Sequence, residues 1–343
     1  MTPSVHRTMP CSAWLGRLRR GAGPLSDRSR PATPPTFPAS GTLLRQGRST
    51  GGMRPTCCAL DVHILRCEAC RPGPRGQRER NGPARTMRYF LLTDLEGPAG
   101  VCTWSQTREG DGPDKLAAMR LLTGEVNAVV AGILDTDANA EILAWDGHGT
   151  RGLLPELLHP RATFLPNSSP LREHLSDGVS ALYFIGQHAM AGTENAPLCH
   201  TYNSRTIAAC HLNDRPVGEF GCRAAMAGER GIPAVYLSGD DKAVAEALAL
   251  IPDLITVTTK VGLGINTARH RTHAQSCAEQ RAAATLAARR AQMAEPLRIP
   301  PPYTLRFEAL PGAAIDPSLA DGAQESDGHT VVHHAARLWD LPL

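Results

Sequence analysis

The chain has 343 residues, 42% of them hydrophobic, and a formal net charge of +3. This length holds one large domain or two smaller ones, and the hydrophobic content is ample for a packed core. No run reaches the roughly 20 apolar residues that a membrane-spanning helix requires, so we expect no membrane partner.

Residues 1–86 differ in composition from the rest. They carry 15 Arg, no Lys and 4 acidic residues, a balance of +11 that leaves about −8 for residues 87–343. They also hold 11 of the 28 Pro and half of the 10 Cys, without helical or strand periodicity. We therefore expect a disordered or mis-annotated N-terminal extension rather than a folded domain.

Four interpretations of residues 1–86 compete. A signal peptide would need an apolar stretch that the segment lacks, and a transit peptide fits poorly with so many Pro and Cys residues. Cys67 and Cys70, near Cys57, Cys58 and His63, have the C-x-x-C spacing of a small zinc site, but this spacing does not repeat cleanly.

The fourth interpretation, which we favour, is that Met87 starts the protein. Only 3 of the 36 basic residues are Lys, as GC-rich coding DNA would give, and translated upstream DNA of that kind would be rich in Arg, Pro and Gly. Met87 also opens directly onto a predicted strand. The basic charge of residues 1–86 therefore says little about nucleic acid, and we expect no nucleic-acid partner.

The first predicted strand, residues 88–93, ends at two carboxylates, Asp94 and Glu96. Because side chains in a strand repeat every two residues, both point the same way. Adjacent carboxylates repel each other unless a cation lies between them, and Gly97 leaves room for a close approach. The pattern indicates a divalent metal; the alternative is a turn that closes the strand.

Two more predicted strands end near a histidine. Residues 141–145 precede Asp146 and His148, and residues 181–186 precede His188. Alternation of apolar strands with amphipathic helices predicts an α/β fold, with a mostly parallel sheet flanked by helices. Ligands gather beyond the carboxyl ends of such strands, so these side chains are expected at one sheet edge. Asp146 either orients His148 or caps the following turn.

Further elements follow in chain order. A strand at 234–238 runs into Asp240 and Asp241, which are typical of a helix N-cap rather than of metal ligands. The remaining predictions are helices at 114–134, 219–230 and 269–293, strands at 254–260 and 303–310, and a stiff linker at 296–302.

These elements predict a catalytic α/β domain at 87–295 and a smaller C-terminal α+β part at 296–343. The five cysteines after Met87 are scattered and follow no pairing motif, so we expect a reducing, cytoplasmic setting.

Six motifs occur in the order and approximate spacing of one bacterial enzyme family. They are Asp94-x-Glu96-Gly97, Asp146-Gly-His148, Gly186-x-His188-Ala189, His200, residues 213–219 and Gly239-Asp240-Asp241. None is specific alone, but the ordered set resembles the bacterial zinc D-aminopeptidases of the dipeptide-transport operon. The resemblance is strong over residues 87–270 and weaker beyond them, where residues 327–339 look like a shortened closing strand and helix.

The resemblance implies a two-zinc centre in each chain. Its ligands would be Asp94 as the bridge, Glu96 and His148 at one metal, and His188 and Glu219 at the other. His200 matches the family's further active-site histidine, which would protonate the leaving nitrogen or stabilise the oxyanion. A buried structural role for His200 is the alternative. The resemblance also implies a short peptide substrate and a homo-oligomer, which is a ring-like decamer in the family.

The implied donor set suits this chemistry. Two histidines and three carboxylates are typical zinc ligands, and two zinc ions about 3.5–4 Å apart can activate water and polarise a carbonyl. We therefore expect an aminopeptidase for short peptides, including peptides with D-residues. The alternatives are a binuclear phosphoesterase, another small-substrate amidase, or a non-catalytic metal-stabilised peptide-binding protein. A phosphoesterase would need basic residues near the metals, and the motifs offer only Arg205, Arg215 and Arg223.

Overall fold

The structure, a computed structural model, describes residues 86–108, 110, 112–175 and 178–343. The interpretations of residues 1–85, including the cysteine-rich candidate zinc site, lie outside the described residues.

The described residues form twelve strands and six α-helices. The strands are β1 (Arg88–Thr93), β2 (Glu141–Asp146), β3 (Ala162–Leu165), β4 (Ala181–Gln187), β5 (Ile207–Leu212), β6 (Arg215–Pro216), β7 (Ala234–Asp240), β8 (Ile255–Gly264), β9 (Thr267–His270), β10 (Tyr303–Ala309), β11 (Glu325–Ser326) and β12 (Thr330–Ala335). The helices are α1 (Pro113–Leu134), α2 (Leu171–Leu175), α3 (Glu219–Glu229), α4 (Asp241–Leu250), α5 (His273–Arg290) and α6 (Pro317–Ala320).

Seven strands form the larger sheet, in the order β3-β2-β1-β4-β7-β8-β9. Every neighbouring pair is parallel except the hairpin of β8 and β9. Thr93, the last residue of β1, lies opposite Asp146 of β2 and Ile185 of β4. The carboxyl ends of these three central strands therefore meet at one edge, as the sequence predicts.

Helices cover both faces of this sheet. Tyr89 and Leu91 of β1 pack into a core with α1 and α5, whereas the alternate residues Phe90 and Leu92 pack into a second core with α3 and α4. A strand that is buried on both faces needs apolar residues at successive positions, which is why residues 88–93 form an almost continuous hydrophobic run.

Helix α1 is long and apolar enough, by length and composition alone, to cross a membrane. However, 56% of its apolar window is buried inside the protein, and α1 packs against α5. Thr123 and Glu125 on its inner face are also buried, and the Glu125 carboxylate accepts hydrogen bonds from Ala99 N and Ser276 Oγ. These features are those of a core helix.

A smaller antiparallel sheet has the order β11-β12-β10-β5-β6. Phe307 and Leu305 of β10 pack with Leu212 of β5 and Val331 of β12 in a third core. The predicted fold class is confirmed: a mostly parallel sheet flanked by helices, with a smaller separate part. The antiparallel sheet takes strands from both sides of residue 295, and the domain limits drawn there stay a prediction.

The predicted helix at 269–293 begins too early. Residues 267–270 instead form β9, which pairs with β8, so that His270 lies opposite Lys260. Helix α5 begins at His273, where Thr272 Oγ1 accepts a hydrogen bond from Gln275 N in a capping box. The Thr-x-x-Gln signal that marks this start is present in the sequence.

Candidate metal centre

The loop after β1 places two carboxylates at the sheet edge. Asp94 and Glu96 are both buried. Gly97 N donates a 2.7 Å hydrogen bond to Gly186 O, and a Cβ atom at Gly97 would lie only 2.1 Å from the Gly186 carbonyl carbon. Glycine is therefore required at position 97, because a side chain would push the carboxylate loop away from β4.

His148 completes a first cluster with these carboxylates. Its Nδ1 lies 3.0 Å from Asp94 Oδ1 and 3.1 Å from Glu96 Oε2. Its Nε2 donates a 2.7 Å hydrogen bond to the Thr107 carbonyl, so in the neutral ring the Nδ1 lone pair faces the two carboxylates. Glu96 Oε2 is buried and makes no hydrogen bond in the described part of the chain. A cation between these atoms would satisfy all of them.

His188 forms a second cluster on the other side of Asp94. Its Nε2 lies 3.2 Å from Asp94 Oδ2 and 3.6 Å from Glu219 Oε1. Its Nδ1 donates to the Ala189 carbonyl at 3.0 Å, and Nε2 is buried without a hydrogen bond among the described residues. Each oxygen of Asp94 therefore faces one histidine, which is the geometry that a bridging carboxylate needs.

His200 belongs to the second cluster. Its ring stacks on that of His188, with ring centroids 4.0 Å apart and planes at 10°. One ligand atom from each of His188, His200 and Glu219 lies within 4.8 Å of the others. The His200 Nδ1 donates to Leu198 O at 2.8 Å, which leaves Nε2 with the lone pair. The structure thus places His200 close enough to bind a metal as well as to act on a substrate.

Glu219 opens α3 and is fixed by its neighbours. Its Oε1 accepts a 2.9 Å hydrogen bond from Tyr202 N, and its Oε2 lies 3.2 Å from Arg223 Nη2, one helical turn further on. The Arg223 guanidinium carbon also lies 5.4 Å from the centroid of the Trp145 ring. A carboxylate at the first position of a helix normally faces solvent, and here the loop before β5 buries it.

Charges within the site oppose the effect of burial. Burial raises the pKa of Asp94, but hydrogen bonds and charges from His148 and His188 hold it well below its usual range. Burial likewise raises the pKa of Glu219, whereas His188 and Arg223 lower it to about 2. Burial lowers the pKa values of His148 and His188, but the carboxylates raise both well above the usual range. Asp94 and Glu219 therefore stay ionised and attract positive charge, which either protonated histidines or metal ions can supply.

The side chains present fit zinc. Two imidazole nitrogens and three carboxylates converge from four segments, and two buried polar atoms, Glu96 Oε2 and His188 Nε2, make no hydrogen bond within the described residues. Mixed nitrogen and oxygen donors of this kind suit zinc. The structure thus brings together all six of the side chains that the sequence singles out: Asp94, Glu96, His148, His188, His200 and Glu219.

Two other sequence candidates have structural roles. Asp146 Oδ1 accepts from Gly152 N at 2.8 Å, so Asp146 caps the loop that carries His148, the second of the two interpretations. Asp240 is the N-cap of α4 and accepts from Lys242 N and Ala243 N, as predicted.

Two residues outside the clusters hold the ligand loops in place. Lys260 of β8 donates from Nζ to the carbonyls of Glu96, Pro98 and Val101. Glu246 of α4 accepts from Met190 N, two residues beyond His188, and also from the backbone of Gly218, just before Glu219. Glu246 carried no signal in the sequence, since a single polar residue in an amphipathic helix is ordinary.

A cavity of about 300 Å³ opens onto the two clusters. Beside the candidate ligands, its walls contain Trp104, Arg108, Tyr202, Ser204 and Arg205. Trp104 and Arg108 carry no signal in the sequence, because the segment between β1 and α1 has no periodicity. Arg205 and Arg223 also line this cavity, and both are recognisable in the sequence as basic residues near the motifs.

Comparisons of sequence match this chain to known D-aminopeptidases. The peptidase M55 family model, described as D-aminopeptidase, matches residues 87–341. A D-aminopeptidase of Bacillus subtilis (strain 168) is 32% identical over 181 residues, which make up 51% of this chain and 64% of that protein. The match therefore spans slightly less than two thirds of that relative.

A solved structure shares the fold. It is the Zn-dependent D-aminopeptidase DppA from Bacillus subtilis, described as a self-compartmentalizing protease. The TM-score is 0.65 at 25% sequence identity, and the match covers 74% of this chain and 93% of the other.

Proposed function

The chain belongs to the peptidase M55 (D-aminopeptidase) family, and on that premise we propose that it is a zinc-dependent aminopeptidase. Its substrates are short peptides, including those with D-residues, from which it removes the N-terminal residue. The observation that carries this proposal is the pair of buried clusters that share Asp94 at the floor of a peptide-sized cavity.

We assign two zinc ions to each chain. Asp94 would serve both, Glu96 and His148 would hold one, and His188 and Glu219 would hold the other. Bound there, zinc supplies a Lewis acid for the scissile carbonyl and water of lowered pKa. The carbonyls of Thr107 and Ala189 fix the tautomers of the two histidines, so that each presents a lone pair to its metal.

His200 moves the proton in this proposal. Burial and the neighbouring His188 lower the pKa of His200, so its ring is neutral near pH 7. Since Nδ1 is held by the Leu198 carbonyl, Nε2 is the atom that accepts a proton and then passes it to the leaving nitrogen. This assignment chooses the acid role over the oxyanion role for His200.

We further propose that the protein works as a homo-oligomer, a decamer, in the cytoplasm. The related Bacillus enzyme is described as self-compartmentalizing, which supports an assembly. The five described cysteines, Cys102, Cys199, Cys210, Cys222 and Cys277, are all free thiols, which supports a reducing compartment.

The test is zinc content and hydrolysis measured together on the full chain. We expect about two zincs per chain, cleavage of D-Ala-D-Ala, and no turnover of a phosphodiester such as bis-p-nitrophenyl phosphate. Asp94→Ala should lose zinc and reduce peptide turnover by about 1000-fold or more, because metal catalysis supplies several kcal/mol. Asp135→Ala, which removes an exposed carboxylate paired with Arg281, is the matched control.

Either of two results would reject the peptidase proposal. Turnover of the phosphodiester alone would assign the same centre to a phosphoesterase. Two bound zincs without turnover of any peptide would instead indicate a metal-stabilised binding protein.

A further inference from the structure

We propose that Arg108 binds the free carboxylate of the peptide substrate, and that this contact restricts the site to peptides of two or three residues. This inference rests on the proposed aminopeptidase function and deepens it. It assigns substrate recognition to a residue that lies outside the metal clusters.

Arg108 lines the cavity that opens onto the metal clusters. Its guanidinium carbon lies 4.1 Å from the centroid of the Trp104 ring, and its Nη2 donates a long 3.4 Å hydrogen bond to Ser204 Oγ. Its Nε is buried and makes no hydrogen bond in the described part of the chain. No carboxylate of the described residues lies within ion-pair distance of Arg108. Among the described residues, the guanidinium is therefore oriented by Trp104 and paired with no carboxylate.

An oriented guanidinium of this kind suits a carboxylate. The indole face of Trp104 holds the plane of the guanidinium by a cation–π contact, so its donor-bearing edge remains free for a ligand. A carboxylate accepts two parallel N–H bonds from the terminal Nη edge of such a guanidinium.

The distance to the metal clusters sets the length of the peptide. The Trp104 ring lies edge-on to His200, with ring centroids 5.9 Å apart. Taken with the 4.1 Å Arg108 contact, this places the guanidinium carbon no more than about 10 Å from the centroid of the His200 ring. An extended chain spans about 3.3–3.6 Å per residue, so no more than about three residues fit within that upper limit. A longer peptide would carry its carboxylate past Arg108.

The other arginines of the cavity are engaged elsewhere. Arg223 lies 3.2 Å from the Glu219 carboxylate, which itself belongs to the second cluster. Arg205 lines the cavity and makes interactions of its own. Arg108 is thus the arginine whose described contacts, an indole face and a distant hydroxyl, leave its charge available.

The experiment compares a free acid with its amide. Zinc-loaded full chain is assayed with D-Ala-D-Ala and with D-Ala-D-alaninamide, which differ only in the terminal charge. We expect the wild type to prefer the acid, and Arg108→Gln to reduce the acid-to-amide ratio of kcat/KM by about 10- to 100-fold, mainly through KM, as for loss of a charge-assisted hydrogen bond. Arg108→Lys, which keeps the charge but loses the planar fork, should fall between the two.

Arg205→Gln serves as the matched control, since it removes a second arginine from the same cavity. The proposal is overturned if the wild type cleaves acid and amide equally well, or if the ratio collapses in Arg205→Gln and persists in Arg108→Gln. Both results leave the aminopeptidase function standing. If the wild type cleaves neither compound and calorimetry shows that it binds neither, the proposed function itself has failed, and the role of Arg108 fails with it.

Discussion

The same chemical pair, a histidine beside a carboxylate, occurs in two regions of the molecule with opposite consequences. At the edge of the parallel sheet, His188 lies 3.2 Å from Asp94, and the two side chains are 2% and 7% exposed. On the antiparallel sheet, His334 lies 3.5 Å from Glu325, but the side chains are 48% and 69% exposed. Water screens only the second pair. Burial rather than distance therefore decides which histidine–carboxylate interaction is strong.

Two glutamates that accept hydrogen bonds from backbone N–H groups, Glu246 and Glu229, also differ between the two regions. Glu246 accepts from the backbone near His188 and before Glu219, so it fixes the metal side. Glu229 accepts from Leu338 N and Trp339 N, and so it fixes the C-terminal turn, whose Leu338 packs in the core of the antiparallel sheet. Both carboxylates anchor a segment by accepting hydrogen bonds from its backbone. Glu246 anchors the segments that carry candidate metal ligands, whereas Glu229 anchors the C-terminal turn.

Replacing Lys260 should have the largest effect, because it removes the buried cation behind the metal site. Lys260→Met leaves the carbonyls of Glu96, Pro98 and Val101 without this donor. At about 1–3 kcal/mol for each unsatisfied group, offset in part by the removal of a buried charge, we expect a loss of about 3 kcal/mol in the free energy of unfolding. Urea unfolding measures this loss, and zinc content should fall with it.

Lys242→Met is the control for that measurement. Lys242 bonds to Asp241 and to the Gly262 carbonyl at the same sheet edge, but its side chain is 26% exposed. Its replacement should cost at most about 1 kcal/mol. Equal losses of unfolding free energy in Lys260→Met and Lys242→Met would mean that burial does not make the Lys260 contacts stronger than those of Lys242.

The sequence predicts much of the parallel region. Apolar runs at 88–93, 141–145 and 181–186 predict β1, β2 and β4, and the polar residues that follow them meet as expected. This works because the position of a strand's carboxyl end in a parallel sheet follows from local sequence alone. Glu219 is different, since its role was inferred only from the family resemblance.

The antiparallel region and the cavity wall could not be predicted in the same way. The pairing of β10 with β5 joins residues 93 to 102 positions apart, from Leu305 with Leu212 to Ala309 with Ile207, and no local pattern encodes it. Trp104 and Arg108 reach the site through a loop without periodicity, and Glu246 through the buried face of a helix. Their roles depend on tertiary contacts, which become visible only when the chain is folded.

Replacing Glu246 should have the next largest effect, which is a loss of peptide turnover. Glu246→Gln turns one acceptor oxygen into a donor, so either the Met190 or the Gly218 contact is lost. We expect peptide turnover to fall by about 10- to 50-fold, within the usual range for groups that orient metal ligands. Glu229→Gln makes the same chemical change on the antiparallel side and should leave turnover unaltered. Equal losses of turnover would show that the two regions are coupled.

Glu246→Gln should also differ from both the wild type and Glu229→Gln in the pH dependence of its stability. Burial raises the pKa of Glu246 to about 7, whereas a glutamate in an unfolded chain titrates near 4.3. Between these values the folded chain holds the proton and the unfolded chain does not, so stability from this group falls as pH rises from about 4.5 to 7. Glu246→Gln should remove that slope from unfolding measured across this range, and Glu229→Gln should keep it.

The smallest effect is expected for the exposed pair of His334 and Glu325 on the antiparallel sheet. Glu325→Gln removes the partner of His334 without changing the shape of the side chain. Because both groups are solvated, the ion pair adds little that water does not supply, and the melting temperature should move by no more than about 2 °C. A scan at low and high salt measures this, since screening acts on exposed pairs first. A shift of 5 °C or more would mean that an exposed histidine–carboxylate pair also contributes substantially to stability. Exposure would then not explain the difference between the two regions.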